Sequence, residues 1–303
     1  MNLAAVLFSA ATLLAAQFAT ATESPGAPTV TEVSGEIRLF QSQYFHLKSG
    51  LNGRVYRIMI AVPKSPAPAA SAPTLYVLDG GQYFETAATA AARYAYGSEI
   101  VSPVVVGVGY ATDKVPEILA ERAFDLTPSL PIDPNQKGRF GGGPVFAQVF
   151  ETEIVPFVRS RFPPDMQRQA IWGHSYGGLF VMASLLRNPT QFSHYILSSP
   201  SIWWNDREVL KLQDSFARLL GTRATQVRVL VTSAADEQYR GDDPARLAAD
   251  SFRMVDNATD FAKWLNNLEP SSVKVQRTIF EGEGHSSAAP VSVNRAVRFA
   301  FRK

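Results

Sequence analysis

The run Ile171-Trp172-Gly173-His174-Ser175-Tyr176-Gly177-Gly178-Leu179-Phe180 places a serine at the centre of a G-x-S-x-G pattern. Ahead of it, Gln169 to Trp172 reads as a short buried strand; after it, Leu179 to Leu186 reads as a helix that is apolar almost all round. Strand, sharp turn and helix form the setting in which this pattern becomes a nucleophile elbow. Small residues are needed because the turn forces Ser175 into strained backbone geometry and packs strand closely against helix. The hydroxyl is then projected beside the positive end of a helix. Such a serine attacks carbonyl carbon, provided a base takes its proton.

The chain has four histidines, so the base follows by elimination. His46 falls in an N-terminal hairpin, His174 points away from Ser175 in such a turn, and His194 precedes a strand at the wrong end of the sheet. His285 follows the last strand, in the small-residue stretch Glu281-Gly282-Glu283-Gly284-His285-Ser286-Ser287, and is the candidate base. An acid that orients it falls between serine and histidine in chain order. Of the acids in that interval, Asp236 and Glu237 directly follow a strand, and spacing does not separate them. A Ser–His dyad with no acid is the alternative. The tetrahedral intermediate also needs two donors aimed at its oxyanion. The backbone N–H of Tyr176 is one, and the loop Leu78-Asp79-Gly80-Gly81 supplies the other, its glycines letting backbone approach a substrate carbonyl.

These residues need a scaffold. Glu36 to Leu47 and Arg54 to Val62 have strand composition and join around Asn52-Gly53. Thr74 to Leu78 and Pro103 to Val108 are near-continuous apolar runs, as in strands covered on both faces. Helical periodicity marks 146–160, 176–187, most of 245–268 and a closing helix over 293–301, and strands are predicted over 193–197, 227–232 and 273–280. The alternation predicts an α/β fold: a mostly parallel sheet, helices on both faces, and the first two strands as an antiparallel edge. From Gly109 to Gly143 the periodicity fails, prolines recur and Gly141-Gly142-Gly143 ends the stretch. An irregular wall or lid over the substrate cleft is expected there.

Leu3 to Ala16 is apolar and Ala19-Thr20-Ala21 has the form of a cleavage site, so residues 1–21 read as a secretory signal, although no Lys or Arg precedes them. Residues 22–34 form a loose leader and 35–303 a single domain, with the periplasm as the expected location. The absence of cysteine excludes disulfides and Cys–zinc sites. No His/Asp/Glu cluster has metal-ligand spacing, and no cofactor is expected. A net charge of +2 offers no footprint for nucleic acid, and nothing beyond the signal is long and apolar enough to span a bilayer. A small-molecule ester is the expected partner.

Further segments match one family in order. Leu75-Tyr76-Val77-Leu78-Asp79-Gly80 and Val105-Val106-Gly107-Val108-Gly109-Tyr110 resemble its first central strands, and Arg122-Ala123-Phe124-Asp125-Leu126-Thr127-Pro128 its R-x-x-D-x-T-P segment. Glu153-Ile154-Val155-Pro156 is similar to its E-L-I-P helix, and Ser198-Ser199-Pro200-Ser201-Ile202-Trp203-Trp204 to its S-P-S-x-W-W. The chain thus resembles the esterase D-like branch of the α/β-hydrolases, especially siderophore esterases that cleave enterobactin-type lactones. The resemblance implies an α/β-hydrolase fold, a Ser175–His285 engine and Gly81 and Tyr176 as oxyanion donors. It further implies Arg122 in the cleft, and it favours Glu237 by register, although the usual G-E-x-E-Q reads Ala234-Ala235-Asp236-Glu237-Gln238 here. Trp203 and Trp204 would stack on a substrate ring or pack the core. Feruloyl-type esterases and acyltransferases share the branch, and a non-catalytic ligand-binding relative is the competing class.

Overall fold

The strand-like runs assemble into one sheet. The structure, a computed structural model, describes residues 39–64, 68–221, 226–239, 241–245, 250–268 and 272–303; the signal and leader expected over 1–34 lie outside them. Strands β1 (Phe40–Lys48) and β2 (Val55–Pro63) pair antiparallel as the N-terminal hairpin. Strand β3 (Ala72–Leu78), β4 (Val104–Tyr110), β5 (Pro164–His174), β6 (His194–Ser198), β7 (Val227–Ala234) and β8 (Val273–Phe280) run parallel to one another. The order across the sheet is β1-β2-β4-β3-β5-β6-β7-β8, with β2 antiparallel to β4. This is the mostly parallel sheet with an antiparallel N-terminal edge that the sequence predicts.

Among the described residues, the α-helices of five or more residues are α1 (Gly80–Tyr96), α2 (Val115–Asp125), α3 (Gly143–Val149), α4 (Val155–Arg159), α5 (Tyr176–Arg187), α6 (Gln213–Gly221), α7 (Met254–Asn266) and α8 (His285–Phe301). Alternate residues of each central strand feed opposite layers, as the period of two requires. Tyr76 and Leu78 of β3 pack with α3, α4 and α5 on one face, whereas Leu75 and Val77 pack with α1 and α8 on the other. Both layers are dry, so β3 and β4 are buried at every position.

Two expectations need correction. The stretch 109–143 is not wholly irregular, because α2 occupies Val115–Asp125. Pro116 in its first turn is tolerated, since no intrahelical acceptor awaits an N–H there. The closing helix begins at His285 itself rather than near Val293, with Gly284 as its cap. The candidate base is therefore the first residue of a helix and not part of a loop. Among the described residues no helix is long and apolar enough to cross a membrane.

Candidate active site

Ser175 joins β5 to α5 with φ 59° and ψ −118°, backbone values that cost a non-glycine residue of order 1–3 kcal/mol. The surroundings enforce them. The Ser175 N–H donates to the Ser198 carbonyl at 3.0 Å, tying the turn to the end of β6. A Cβ on Gly173 would lie 2.3 Å from the Gly177 carbonyl oxygen, and one on Gly178 would lie 2.8 Å from that of Ser198. Only hydrogen fits at either place. Ser175 Oγ lies 3.3 Å from Ser201 Oγ, in the loop after β6.

His285 and Glu237 meet in the same region. His285 Nδ1 lies 2.5 Å from Glu237 Oε1, and the Glu237 side chain is almost fully buried. The second oxygen, Oε2, accepts the Ser199 hydroxyl at 3.0 Å and the Ala234 N–H at 2.8 Å. Three donors therefore fix the carboxylate in place. Asp236, the other acid open on spacing, is solvent-exposed, and its backbone N–H donates to the Glu283 carbonyl at 3.1 Å. Ala235–Glu237 is a single tight helical turn, which sends adjacent side chains about 120° apart and leaves only Glu237 facing inward.

Helix α8 is seated by Ser292, which accepts Trp172 Nε1–H at 3.1 Å and pairs with Thr232 Oγ1 at 3.1 Å. These buried bonds link the helix bearing His285 to β5 and β7. His174 backs His285, its ring 4.6 Å from that of His285 and its Nδ1 3.0 Å from Ser198 Oγ. Burial, reinforced by electrostatic repulsion between the His174 cation and both His285 and Arg122, pushes the His174 pKa down to about 3. His174 is therefore a neutral packing surface at physiological pH. His194 lies at the far end of β6 against Phe299, with a pKa lowered by burial to about 4.

Two helix N-termini flank Ser175. The first bond of α5 runs from the Leu179 N–H to the Ser175 carbonyl (3.0 Å), and that of α1 from the Gln82 N–H to the Asp79 carbonyl (2.9 Å). The N–H groups of Tyr176 and Gly81 precede those bonds and have no intrahelical acceptor. Asp79, left-handed at φ 51°, ψ 43°, turns the chain from β3 into α1. Its carboxylate is gripped by Arg122 through two bonds of 2.9 Å, from Nε to Oδ1 and from an Nη to Oδ2. Burial opposes the guanidinium's charge, but the facing carboxylate outweighs it and raises the pKa. Nε and one Nη of Arg122 are thus engaged by Asp79, and the guanidinium carbon lies 5.7 Å from the Tyr176 ring centroid. Trp203 is half-buried and stacks on Phe252 with centroids 4.3 Å apart, while Trp204 is buried.

The family described as "Putative esterase" matches residues 49–285. The chain belongs to this esterase family. Ferri-bacillibactin esterase BesA of Bacillus subtilis is 33% identical over 263 residues, covering 84% of this chain and 88% of that one. The siderophore triacetylfusarinine C esterase of Aspergillus fumigatus is 31% identical over 281 residues, covering 88% and 94%. A crystal structure of the BES protein from Bacillus cereus superposes with a TM-score of 0.76 at 30% identity, covering 90% of this chain and 99% of that one. The sheet order and its helical layers are those of an α/β-hydrolase.

In this esterase several motif residues hold backbone. Glu153 Oε1 accepts the N–H groups of Gly50 and Leu51 at 3.0 and 3.2 Å, closing the β1–β2 hairpin. Thr127 Oγ1 accepts the Gly141 N–H at 2.7 Å and donates to the Ala123 carbonyl at 2.8 Å, tying the end of α2 to the chain ahead of α3. Ser199 and Ser201, quoted in sequence only as part of a motif, touch Glu237 and Ser175 directly. A hydroxyl on either side of a proline after a strand is the signal that marks them. Among the described residues, no group of three or more His, Asp and Glu is placed to hold a metal ion.

Proposed function

We propose that this esterase is an exported enzyme that cleaves siderophore-type esters or lactones with Ser175, His285 and Glu237 as a triad. The observation that carries the reading is the 2.5 Å contact between His285 Nδ1 and Glu237 Oε1 beside a strained, helix-capping serine. Glu237 holds the imidazole with its Nδ1 protonated, so that Nε2 is free to accept the Ser175 proton. The serine oxygen bonds to the ester carbon, and the carbonyl electrons move onto oxygen, facing the Gly81 and Tyr176 N–H groups. Collapse breaks the bond to the alcohol oxygen, which takes the proton from His285. Water then repeats the sequence on the acyl-enzyme, releasing the acid and restoring Ser175. Each oxyanion donor contributes about 3 kcal/mol to such a step.

The substrate class is supported by the names of the relatives, a ferri-bacillibactin esterase and a triacetylfusarinine C esterase. Export is supported by the apolar run Leu3–Ala16 and the Ala19-Thr20-Ala21 sequence that follows. The test is a fluorophosphonate probe and an ester panel applied to wild type and Ser175→Ala. The probe is expected on Ser175, and Ser175→Ala is expected to lose turnover of catecholate lactones and of p-nitrophenyl acetate alike. Full activity of Ser175→Ala would sink the mechanism; turnover of simple esters but no siderophore ester would sink the substrate class alone.

A further inference from the structure

A cavity of about 290 Å³ opens beside the Asp79–Gly81 turn, between the ends of β2 and β4 and the start of α2. Buried Tyr110 and half-buried Met59 line it, as do exposed Gly81 and, as its outer lip, Val115 and Leu119 of α2. Val115 and Leu119 are 64% and 51% exposed, so two aliphatic side chains stand in water where the cavity opens. Arg57 also lines it, together with Asp79 and Asp113, and its side chain is 23% exposed. One Nη of its guanidinium bonds Asp113 at 2.6 Å. A guanidinium carries five N–H donors, so a guest that brings an acceptor can pair with those that the Asp113 bond leaves.

Position decides which part of an ester enters. Gly81 is shared between this cavity and the oxyanion turn. The base must protonate the departing alcohol oxygen, so the alcohol portion lies toward His285. His285 and Glu237 come from the ends of β8 and β7, on one side of β5. The cavity lies at β2, β4 and β3, on the other side. With the carbonyl carbon at Ser175, the acyl portion points into the cavity.

Resting on the esterase reading above, we infer that this cavity receives the acyl arm of the substrate and selects an apolar, ring-sized group carrying a hydrogen-bond acceptor for Arg57. Its volume sits at the bottom of the range of ligand pockets, about 300–1,000 Å³, so one arm enters and the rest of a large ester stays outside.

The test varies the acyl group at constant leaving group: p-nitrophenyl acetate, benzoate and 2-hydroxybenzoate, with wild type, Val115→Asp, Leu119→Asp and Arg57→Met. Both lip positions are exposed, so these aspartates do not disturb the core. Wild type is expected to prefer benzoate to acetate in kcat/KM. Each aspartate is expected to lower that benzoate-to-acetate ratio at least tenfold, and Arg57→Met to lower the 2-hydroxybenzoate-to-benzoate ratio at least fivefold. Ratios within twofold of wild type in all three variants would overturn the acyl assignment while leaving the esterase intact. Absence of wild-type turnover on all three esters would instead overturn the esterase reading on which the assignment rests.

Discussion

The Asp79–Arg122 pair is expected to control catalysis without touching substrate. The Asp79 side chain is 2% exposed and that of Arg122 15% exposed, with two parallel bonds of 2.9 Å between them. Asp79 is also the residue before Gly80-Gly81, and its Oδ2 lies 3.4 Å from where a Cβ on Gly177 would be. One carboxylate thus abuts both turns that present N–H groups toward Ser175. Arg122→Ala leaves that carboxylate buried and alone, a change that costs roughly 3–5 kcal/mol. The left-handed Asp79 then has less to hold it, and loosening one oxyanion donor costs about 10²–10³ in kcat.

The assay is urea unfolding together with kcat and KM on p-nitrophenyl acetate, a substrate too small to need a distant binding group. Arg122→Ala is expected to be less stable by roughly 3 kcal/mol or more, with the kinetic loss in kcat rather than KM. Arg122→Lys keeps the charge but not the fork, so it should fall between the two. Adding Asp79→Asn to Arg122→Ala removes the stranded charge and should recover part of the stability but little of the rate. The refuting result is an Arg122→Ala enzyme of normal stability and normal kcat on acetate, defective only in KM for large anionic esters. That outcome would return the guanidinium to the substrate, where the family resemblance alone had placed it.

The acid assignment predicts that Glu237→Gln lowers kcat by about 10⁴, the scale expected when the histidine's tautomer is no longer fixed. Asp236→Asn should stay within twofold of wild type in the same assay. Stability should fall on acidification. The unfolded chain protonates His174 near pH 6.5 but the folded one only near 3. The unfolded state therefore binds more protons across that window, at a cost of about 2 kcal/mol by pH 5. Asp125 works in the opposite sense, because burial raises its pKa to about 6 against the pull of Arg54. The folded state then holds the extra proton, regaining about 1 kcal/mol between pH 8 and pH 5. His174→Gln should flatten the acid loss and Asp125→Asn should steepen it, both read from urea unfolding at the two pH values. Equal slopes in both variants would contradict these burial assignments.

Much of the sheet was legible because β3 and β4 are apolar at nearly every position and the elbow carries its glycines in sequence. Helix α1 was not. Its buried side is built largely from Ala87, Ala88, Ala90, Ala91, Ala92 and Ala95, whose small side chains leave little hydrophobic contrast, and Asp79-Gly80 at its start mimics an ordinary turn. Helix α2 hides for a related reason, since Asp125 alone among its residues is fully buried, so it has no apolar stripe to read. The choice of Glu237 over Asp236 depended on which way a three-residue turn faces, and spacing along the chain carries no such information.

The pairing of Arg122 with Asp79 has a more general cause. A site whose oxyanion donors are backbone N–H groups is specified by whatever holds the backbone still. Charged and polar motif residues do that holding, with Arg122 on Asp79, Thr127 on Gly141, Glu153 on the hairpin and Ser199 on Glu237. Read for chemistry, they look like substrate ligands, although their partners are inside the protein. Most side chains left to meet the acyl group are then those with no such duty, and around the cavity the apolar ones are Met59, Val115, Ile118 and Leu119. No motif contains them, because an apolar lip needs only bulk and exposure, and many residues supply both. Substrate choice can therefore drift among esterases of this fold while the elbow and its supports stay fixed, and exchanging the α2 lip between two relatives should move acyl preference without moving the triad.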